Sequence, residues 1–227
     1  FERYDLVEVG VVDENGRLVG VLTIDDMVDV IHEEATEDIR LLAGVGDEDI
    51  SDNVFSAVRS RAPWLTVNLI TAVLASLVIG LFDATIEQMV ALAVLMPIVA
   101  SMGGNAGTQT MTITVRAIAL RELDRSRMAR LIVREMSAGF LNGAIFATLI
   151  GVATAVRFAN FELGIVIGLA MIMNMLAAGT AGILIPLTLN RLRIDPAVAS
   201  SVFVTAITDI VGFFAFLGLA ALWFGLF

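Results

Sequence analysis

Long stretches without charged side chains constrain this sequence more than any other feature. Residues 64–82, 136–156 and 163–189 carry no charge, and residues 197–227 carry a single one, on Asp209. The shortest of these stretches has 19 residues. A helix of about 20 apolar residues crosses the hydrocarbon core of a bilayer, which is about 30 Å thick. These stretches therefore predict four transmembrane helices.

A fifth apolar stretch is interrupted. Residues 89–102 are apolar, residues 103–110 are mostly small or polar, and residues 111–120 are again mostly apolar. Irregular backbone at membrane depth is tolerated only where protein or a water-filled cavity surrounds it. We expect a fifth transmembrane helix that is broken or unwound near its middle. The predicted fold is an all-α membrane protein with five transmembrane helices per subunit.

The composition excludes several classes of protein. Apolar residues make up 58 % of the chain and charged residues 17 %, whereas soluble domains carry roughly 25 % charged residues. A soluble globule is therefore excluded. The chain has no cysteine and one histidine, His32, which excludes disulfide frameworks, thiolate metal sites and histidine-rich metal centres.

The charges divide the chain into two parts. Residues 1–53 contain 16 acidic residues and 3 arginines, whereas the remaining 174 residues contain 8 acidic residues and 11 arginines. The first part is predicted to be an acidic piece in water, joined to an apolar body. The first residue is Phe1 and no signal-peptide pattern follows it, so we expect the sequence to begin inside a longer protein.

Arginines predict the orientation of the apolar body. Arg59 and Arg61 precede the first span, five arginines within residues 121–134 separate the second and third spans, and Arg191 and Arg193 separate the fourth and fifth. Positive residues are enriched in cytoplasmic loops. We expect a multi-pass protein of the inner (plasma) membrane with a cytosolic N-terminus and an external C-terminus.

Local signals predict a β-hairpin and a helix in the acidic piece. Residues 7–12 and 17–22 are rich in β-branched residues and flank the dipeptide Asn15-Gly16, which is typical of hairpin turns. Thr23, followed three residues later by Asp26, predicts the start of a helix.

Residues 20–26, in this strand–strand–helix setting, resemble the closing portion of a CBS domain. We therefore expect residues 1–31 to be the C-terminal portion of such a domain. The resemblance implies that Thr23 and Asp26 could contact an adenine nucleotide. The alternative is that the two residues only cap the helix.

The predicted helix carries a dense run of acidic residues. Four of them, Asp26, Asp29, Glu33 and Glu37, would share one face of a helix because their spacing is i, i+3, i+7 and i+11. Two interpretations remain open. The face is either simply solvated, or its mutual repulsion is relieved by divalent cations, which prefer carboxylate oxygens.

Asp209 is the candidate for transport chemistry. A carboxylate in an apolar span costs at least about 2.5–3.5 kcal/mol on insertion scales, so it indicates a water-filled path or an ion partner. The alternative is a protonated aspartic acid that forms hydrogen bonds within the bundle. Asn142 and Asn174 are predicted to form hydrogen bonds between helices.

One carboxylate compensates a divalent ion poorly, but a two-fold homodimer would supply two of them. Thr205 and Ser201 precede Asp209 by four and eight residues and so share its helical face. Three glycines would let the backbone of a second helix approach closely and turn its carbonyls inward; they are Gly103, Gly104 and Gly107. A wall made only of oxygen atoms suits Mg²⁺ or Ca²⁺.

Three segments together resemble the bacterial MgtE family of magnesium channels. They are residues 97–109, residues 116–119, and residues 195–197 with Asp209 downstream. The resemblance implies a homodimer with five spans per subunit and a pore lined mainly by the second and fifth spans. It implies that Asp209 is the ion-selectivity residue and that it is helped by oxygens at four positions. These positions are Ser201, Thr205, Gly104 and Gly107.

The resemblance also implies regulation. Residues 34–38 are similar to the connecting, or plug, helix of the family, so residues 32–58 are expected to form that helix and its linker, and residues 59–227 the ion-conducting domain. The family closes when cytosolic Mg²⁺ binds between the acidic helix and the channel. The matching positions are Asp26, Asp29, Glu34, Glu37, Asp38 and Asp195. Repulsion between these carboxylates at low Mg²⁺ would move the helix away and open the pore.

The predicted function is a magnesium-selective channel that moves Mg²⁺ into the cytosol down its electrochemical gradient, with Mg²⁺ also as regulator. No enzyme activity and no nucleic-acid partner are expected. An intramembrane aspartyl protease would need two catalytic aspartates. A proton-coupled carrier remains an alternative, although the sequence offers no second buried titratable group as a relay. A membrane-anchored Mg²⁺ sensor that transports nothing is a third.

Overall fold

The computed structural model describes residues 1, 4–43, 45, 53–120 and 124–226, without the side chains of residues 38, 125 and 198–200. Two short strands precede a series of helices. The strands are β1 (Glu8–Val12) and β2 (Leu18–Thr23). The helices are α1 (Ile24–Leu42), α2 (Val54–Gly80), α3 (Asp83–Gln88), α4 (Ala91–Ala119), α5 (Arg125–Phe158), α6 (Phe161–Arg191) and α7 (Pro196–Phe224).

Five of the described helices are long and apolar enough to cross a membrane, which confirms the predicted fold class. They are Val54–Gly80, Ala91–Ala119, Ser126–Phe158, Phe161–Arg191 and Ser201–Phe224. The shortest has 24 residues, which corresponds to about 36 Å at about 1.5 Å per residue. Each one therefore exceeds the hydrocarbon thickness of a bilayer.

The predicted break in the second span is wrong. Helix α4 is continuous from Ala91 to Ala119 and includes the glycine-rich segment. A glycine inside a helix costs only about 0.5–1 kcal/mol, and here the absence of a Cβ allows close packing. A Cβ at Gly103 would overlap the Asn174 side chain, and a Cβ at Gly107 would overlap Val204. Contact with α6 and α7 therefore favours an unbroken helix.

Helix α6 lies at the centre of the bundle. In the most apolar 18-residue stretch of α6, 56 % of the residues are buried, against 6 % in the corresponding stretch of α2. It packs against α4, α5 and α7. The largest buried cluster joins Leu92 of α4, Ile167 of α6 and Phe216 of α7. Helix α2 is therefore peripheral, and α6 holds the other spans together.

The contact between α5 and α6 depends on glycine. A Cβ on Gly164 would lie 2.5 Å from the carbonyl oxygen of Gly151, so the two backbones touch. Small residues at such positions are typical of helix packing in membranes, where dispersion and close approach replace the hydrophobic effect. Either glycine replaced by a larger residue would force the helices apart.

The N-terminal hairpin and helix cap are confirmed. Strands β1 and β2 pair antiparallel, with Glu8 opposite Thr23. Gly16 in the turn has φ +75°, a conformation that favours glycine. The Thr23 backbone N–H donates to Asp26 Oδ2 at 2.8 Å, and the Asp26 N–H donates to Thr23 Oγ1 at 3.4 Å. This reciprocal pair is a capping box, and it begins α1.

Candidate functional site

Asp209 lies near the middle of α7. It is the fourteenth residue of a helix of 29, which places it about 20 Å from the N-terminal end at about 1.5 Å per residue. Its side chain is half-buried. Within the described part of the chain, no side chain or backbone group forms a hydrogen bond or ion pair with its carboxylate. A carboxylate at this depth without a protein partner is available to a cation or to water.

The helix face that precedes Asp209 meets the glycines of α4. A Cβ on Gly104 would lie 3.9 Å from Thr205 Cγ2 and 4.0 Å from Thr208 Oγ1. Gly107 faces Val204 and Thr208 of the same helix. The structure therefore brings together two predicted positions, Gly104 and Thr205, and adds Thr208, which the sequence analysis did not name.

The hydroxyl groups of α7 form a ladder along the helix. Thr205 Oγ1 donates to the carbonyl oxygen of Ser201 at 2.9 Å, and Thr208 Oγ1 donates to the carbonyl oxygen of Thr205 at 2.9 Å. Each hydroxyl donates its only hydrogen to a backbone carbonyl, so the lone pairs of its oxygen are left to accept hydrogen bonds. Thr205 thus offers an acceptor one turn before Asp209, whereas Thr208 directly precedes Asp209 and is fully buried against α4.

The carbonyls of the two α4 glycines have other neighbours. The Gly104 carbonyl accepts a hydrogen bond from Thr108 Oγ1 at 2.9 Å. The Gly107 carbonyl oxygen lies 2.8 Å from the position of a Cβ on Gly182 of α6. Because α4 is continuous, neither carbonyl is released by a break in the helix.

Asn174 joins α6 to α4 by a hydrogen bond, as the sequence predicted, and it also contacts α7. Its side chain is completely buried, and Nδ2 donates to the carbonyl oxygen of Val99 at 2.8 Å. The amide fills the space above Gly103 of α4 and Gly212 of α7. Gly212 lies three residues after Asp209, so Asn174 fixes the helices that carry the candidate site.

The same prediction for Asn142 is wrong. The Asn142 side chain is exposed and forms no hydrogen bond among the described residues.

The sequence analysis expected no buried titratable group besides Asp209, and this expectation is wrong. Glu135 is 8 % exposed. Its Oε2 accepts from Thr110 Oγ1 at 2.9 Å, and its Oε1 accepts from Arg134 Nη2 at 2.7 Å. Glu135 directly follows a cluster of arginines in the sequence and so resembles an exposed helix end. Its burial depends on Thr110 of α4, which no local pattern reveals.

The predicted regulatory residues lie on α1 and at the start of α7. Asp26, Asp29, Glu34 and Glu37 are exposed on α1, whereas the side chain of Asp38 is outside the described residues. Asp195 caps α7, because its Oδ1 accepts from the Ala197 N–H at 2.8 Å.

The C-terminal end of α1 lies at the end of the bundle where α7 begins. Leu41 and Leu42 pack against a buried cluster that contains Met111 of α4 and Ala197 of α7. This contact brings α1 to the helix that Asp195 caps. Among the side chains that the structure describes, however, no three acidic or histidine groups form a cluster that could hold a metal ion.

Comparison with known proteins identifies the family. Residues 96–219 match the MgtE family model, described as a divalent cation transporter. The chain is 34 % identical over 220 residues to the magnesium transporter MgtE of Bacillus subtilis, covering 96 % of this chain and 49 % of that protein. It is 35 % identical over 225 residues to the magnesium transporter MgtE of Thermus thermophilus, with the same two coverages.

A third relative agrees with these two. The magnesium transporter MgtE of Enterococcus faecalis is 35 % identical over 219 residues, which cover 96 % of this chain and 48 % of the relative. The chain thus spans about half the length of the curated relatives it matches. The matched region includes every residue from Gly104 to Asp209. The family is one of transporters and not of enzymes, as the sequence analysis expected. The chain therefore belongs to the MgtE family of divalent cation transporters.

Proposed function

We propose that this chain forms the membrane part of a magnesium-selective channel, which conducts Mg²⁺ into the cytosol down its electrochemical gradient. The observation that carries this proposal is the half-buried carboxylate of Asp209 in the middle of α7, which no described residue of the chain pairs with. A charge at that depth is costly unless water or a cation compensates it. The related proteins are named magnesium transporters, which supports Mg²⁺ as the transported ion.

The chemistry around Asp209 favours a hard cation. The neighbouring acceptors are the hydroxyl oxygen of Thr205 and the carbonyl oxygen of Ser201, to which that hydroxyl donates. Mg²⁺ gives up its hydration waters reluctantly and usually keeps several of them. The oxygens of Ser201 and Thr205 would accept hydrogen bonds from those waters, while the carboxylate supplies charge. Gly104 and Gly107 would contribute by letting α7 lie close to α4.

A homodimer completes the charge balance. One carboxylate leaves a divalent ion with a net charge of +1, whereas two copies of Asp209 facing each other across a two-fold axis neutralise it. An axis along the pore allows both subunits to contribute the same residue. The pore would then lie between α4 and α7 of the two subunits.

Gating is proposed to use the acidic helix. Residues 32–58 would connect the CBS portion, residues 1–31, to the conducting domain, residues 59–227, with the N-terminus in the cytosol and the chain in the plasma membrane. Cytosolic Mg²⁺ would bridge α1 to the pore entrance and hold it closed. The residues involved would be Asp26, Asp29, Glu34, Glu37, Asp38 and Asp195. The packing of Leu41 and Leu42 against the cluster that contains Ala197 supports this placement, because it brings α1 to the start of α7.

A flux assay in liposomes tests the proposal. Vesicles loaded with a Mg²⁺-sensitive dye receive the purified protein, and external Mg²⁺ is added under an inside-negative potential. We expect rapid entry that persists when the pH gradient is collapsed and disappears in Asp209→Ala. Asp83→Asn, which alters an exposed acid between spans, is the matched control.

Three results would contradict the proposal. Entry that stops when the pH gradient is collapsed would favour a proton-coupled carrier. Entry that is the same in Asp209→Ala and in the unaltered protein would remove Asp209 from the path. Absence of flux through both the unaltered protein and Asp209→Ala, with Mg²⁺ still bound to the protein, would favour a sensor that transports nothing.

A further inference from the structure

A cavity of about 580 Å³ lies between the end of α4 and the beginning of α5. It is distinct from the surroundings of Asp209, which is not among its lining residues. Four arginines contribute to its wall, and the remainder of the wall is mainly aliphatic. The wall includes Arg116, Arg127, Arg130, Arg134, Ile113 and Leu131.

Two of the four guanidinium groups have no partner among the described residues. Arg134 is paired with Glu135 at 2.7 Å, and Arg127 lies 3.9 Å from Asp124. In the part of the chain that the structure describes, the guanidinium groups of Arg116 and Arg130 have no hydrogen bond or ion pair. The cavity therefore carries an excess of positive charge and complements an anion.

The position of the cavity along the helices corresponds to the membrane interface. The α5 span has 33 residues, or about 50 Å, which exceeds the hydrocarbon core by about 20 Å. Arg127 and Arg130 lie in its first two turns, and Arg116 lies in the last turn of α4. These arginines therefore lie at the depth of lipid headgroups.

The aliphatic part of the wall opens outward from the bundle. Ile113 is 41 % exposed, and Leu120, which also lines the cavity, is 56 % exposed. An occupant with both a charged and an apolar part would satisfy the guanidinium groups and these side chains together. A soluble anion would satisfy only the guanidinium groups.

We propose that this cavity binds the phosphate group of an anionic lipid, with an acyl chain along Ile113 and Leu120. Guanidinium groups pair with phosphate oxygens through two parallel hydrogen bonds, and basic pockets between transmembrane helices bind lipid headgroups. The inference concerns binding alone, so it does not depend on the proposed transport of Mg²⁺.

Native mass spectrometry of the purified full chain tests the proposal. The protein is placed in nanodiscs of equimolar phosphatidylcholine and phosphatidylglycerol, and the lipid that remains bound after detergent extraction is identified. We expect phosphatidylglycerol to be retained selectively. Each arginine near an anionic surface is worth about fivefold in affinity, so Arg116→Gln with Arg130→Gln should weaken retention about 30-fold.

Two control variants separate charge from folding. Arg116→Lys with Arg130→Lys keeps both charges but cannot form the paired hydrogen bonds, so its retention should lie between those of the double Gln variant and the unaltered protein. Arg157→Gln removes an arginine near the other end of α5 and should leave retention unchanged. Equal retention by the double Gln variant and the unaltered protein would overturn the proposal. Competition by glycerol phosphate at the concentrations at which phosphatidylglycerol binds would also overturn it, because a free phosphate would then suffice.

Discussion

The side-chain amide of Asn174 donates a hydrogen bond of 2.8 Å to the backbone carbonyl of Val99. The amide enters the space above Gly103, one turn further along α4. This relationship joins the central helix to the helix that carries the glycine-rich segment. It also explains why that segment stays helical, because a side chain at residue 103 has no room.

Gly103→Ala should destabilise the protein. The new methyl group would overlap the Asn174 amide, and overpacking of this kind costs about 1–3 kcal/mol, which exceeds the roughly 0.5–1 kcal/mol that alanine gains in helix propensity. Thermal unfolding in detergent measures the difference. Gly80→Ala is the control, because nothing lies within 4 Å of its Cβ position. A Gly103→Ala protein as stable as Gly80→Ala would disprove the packing.

Thr110→Val should destabilise the contact between α4 and α5. The substitution leaves Glu135 Oε2 without its donor, and a buried acceptor without a partner costs about 1–3 kcal/mol. The matched control is Thr112→Val, because the exposed Thr112 hydroxyl bonds only to the backbone of its own helix. Denaturant unfolding should separate the two variants. Equal stabilities would mean that the Thr110 bond contributes nothing.

The first turn of α1 should lose stability in acid. Hydrogen bonds from the Thr23 side chain and backbone lower the pKa of Asp26 below its usual value. The capping stabilisation is therefore complete above the unfolded pKa of about 3.9 and is lost as the pH falls through the lower folded pKa. An NMR titration of the Asp26 carboxyl measures this, and Thr23→Ala should raise the pKa toward its usual value. An unchanged pKa in Thr23→Ala would contradict the capping box.

Local signals were sufficient for much of the fold. The five spans follow from long apolar runs with few or no charges. The hairpin and capping box follow from Asn15-Gly16 and from Thr23 with Asp26. Each of these depends on residues close together in the sequence. The fold class could therefore be predicted without tertiary information.

Other features depend on residues far apart in the sequence. Continuity of α4 at Gly103 depends on Asn174, and burial of Glu135 depends on Thr110. From sequence alone, a glycine-rich run is compatible with a broken helix and with a continuous one. The neighbouring helices decide between the two. Asp209 was identifiable because a charge inside an apolar run is conspicuous, whereas Thr208 beside it was not.

The proposed gating predicts that Glu37→Gln together with Asp195→Asn weakens inhibition of Mg²⁺ flux by cytosolic Mg²⁺. Fewer carboxylates would bind the bridging ions less tightly. Asparagine caps a helix as well as aspartate does, so Asp195→Asn preserves the bond to the Ala197 N–H and removes only the charge. Flux measured across a series of internal Mg²⁺ concentrations should show closure only at higher Mg²⁺. An unchanged inhibition curve would exclude these two residues from the gate.

Current recording in a planar bilayer tests the central role of Asp209 most directly. With Mg²⁺ as the permeant cation, the unaltered protein should carry a current that reverses at the Mg²⁺ equilibrium potential. Asp209→Asn keeps the side-chain shape and removes the charge, and it should reduce that current about tenfold or more, as loss of about 1.4 kcal/mol of ion stabilisation would. A Mg²⁺ current of the same size and selectivity in Asp209→Asn would contradict the account.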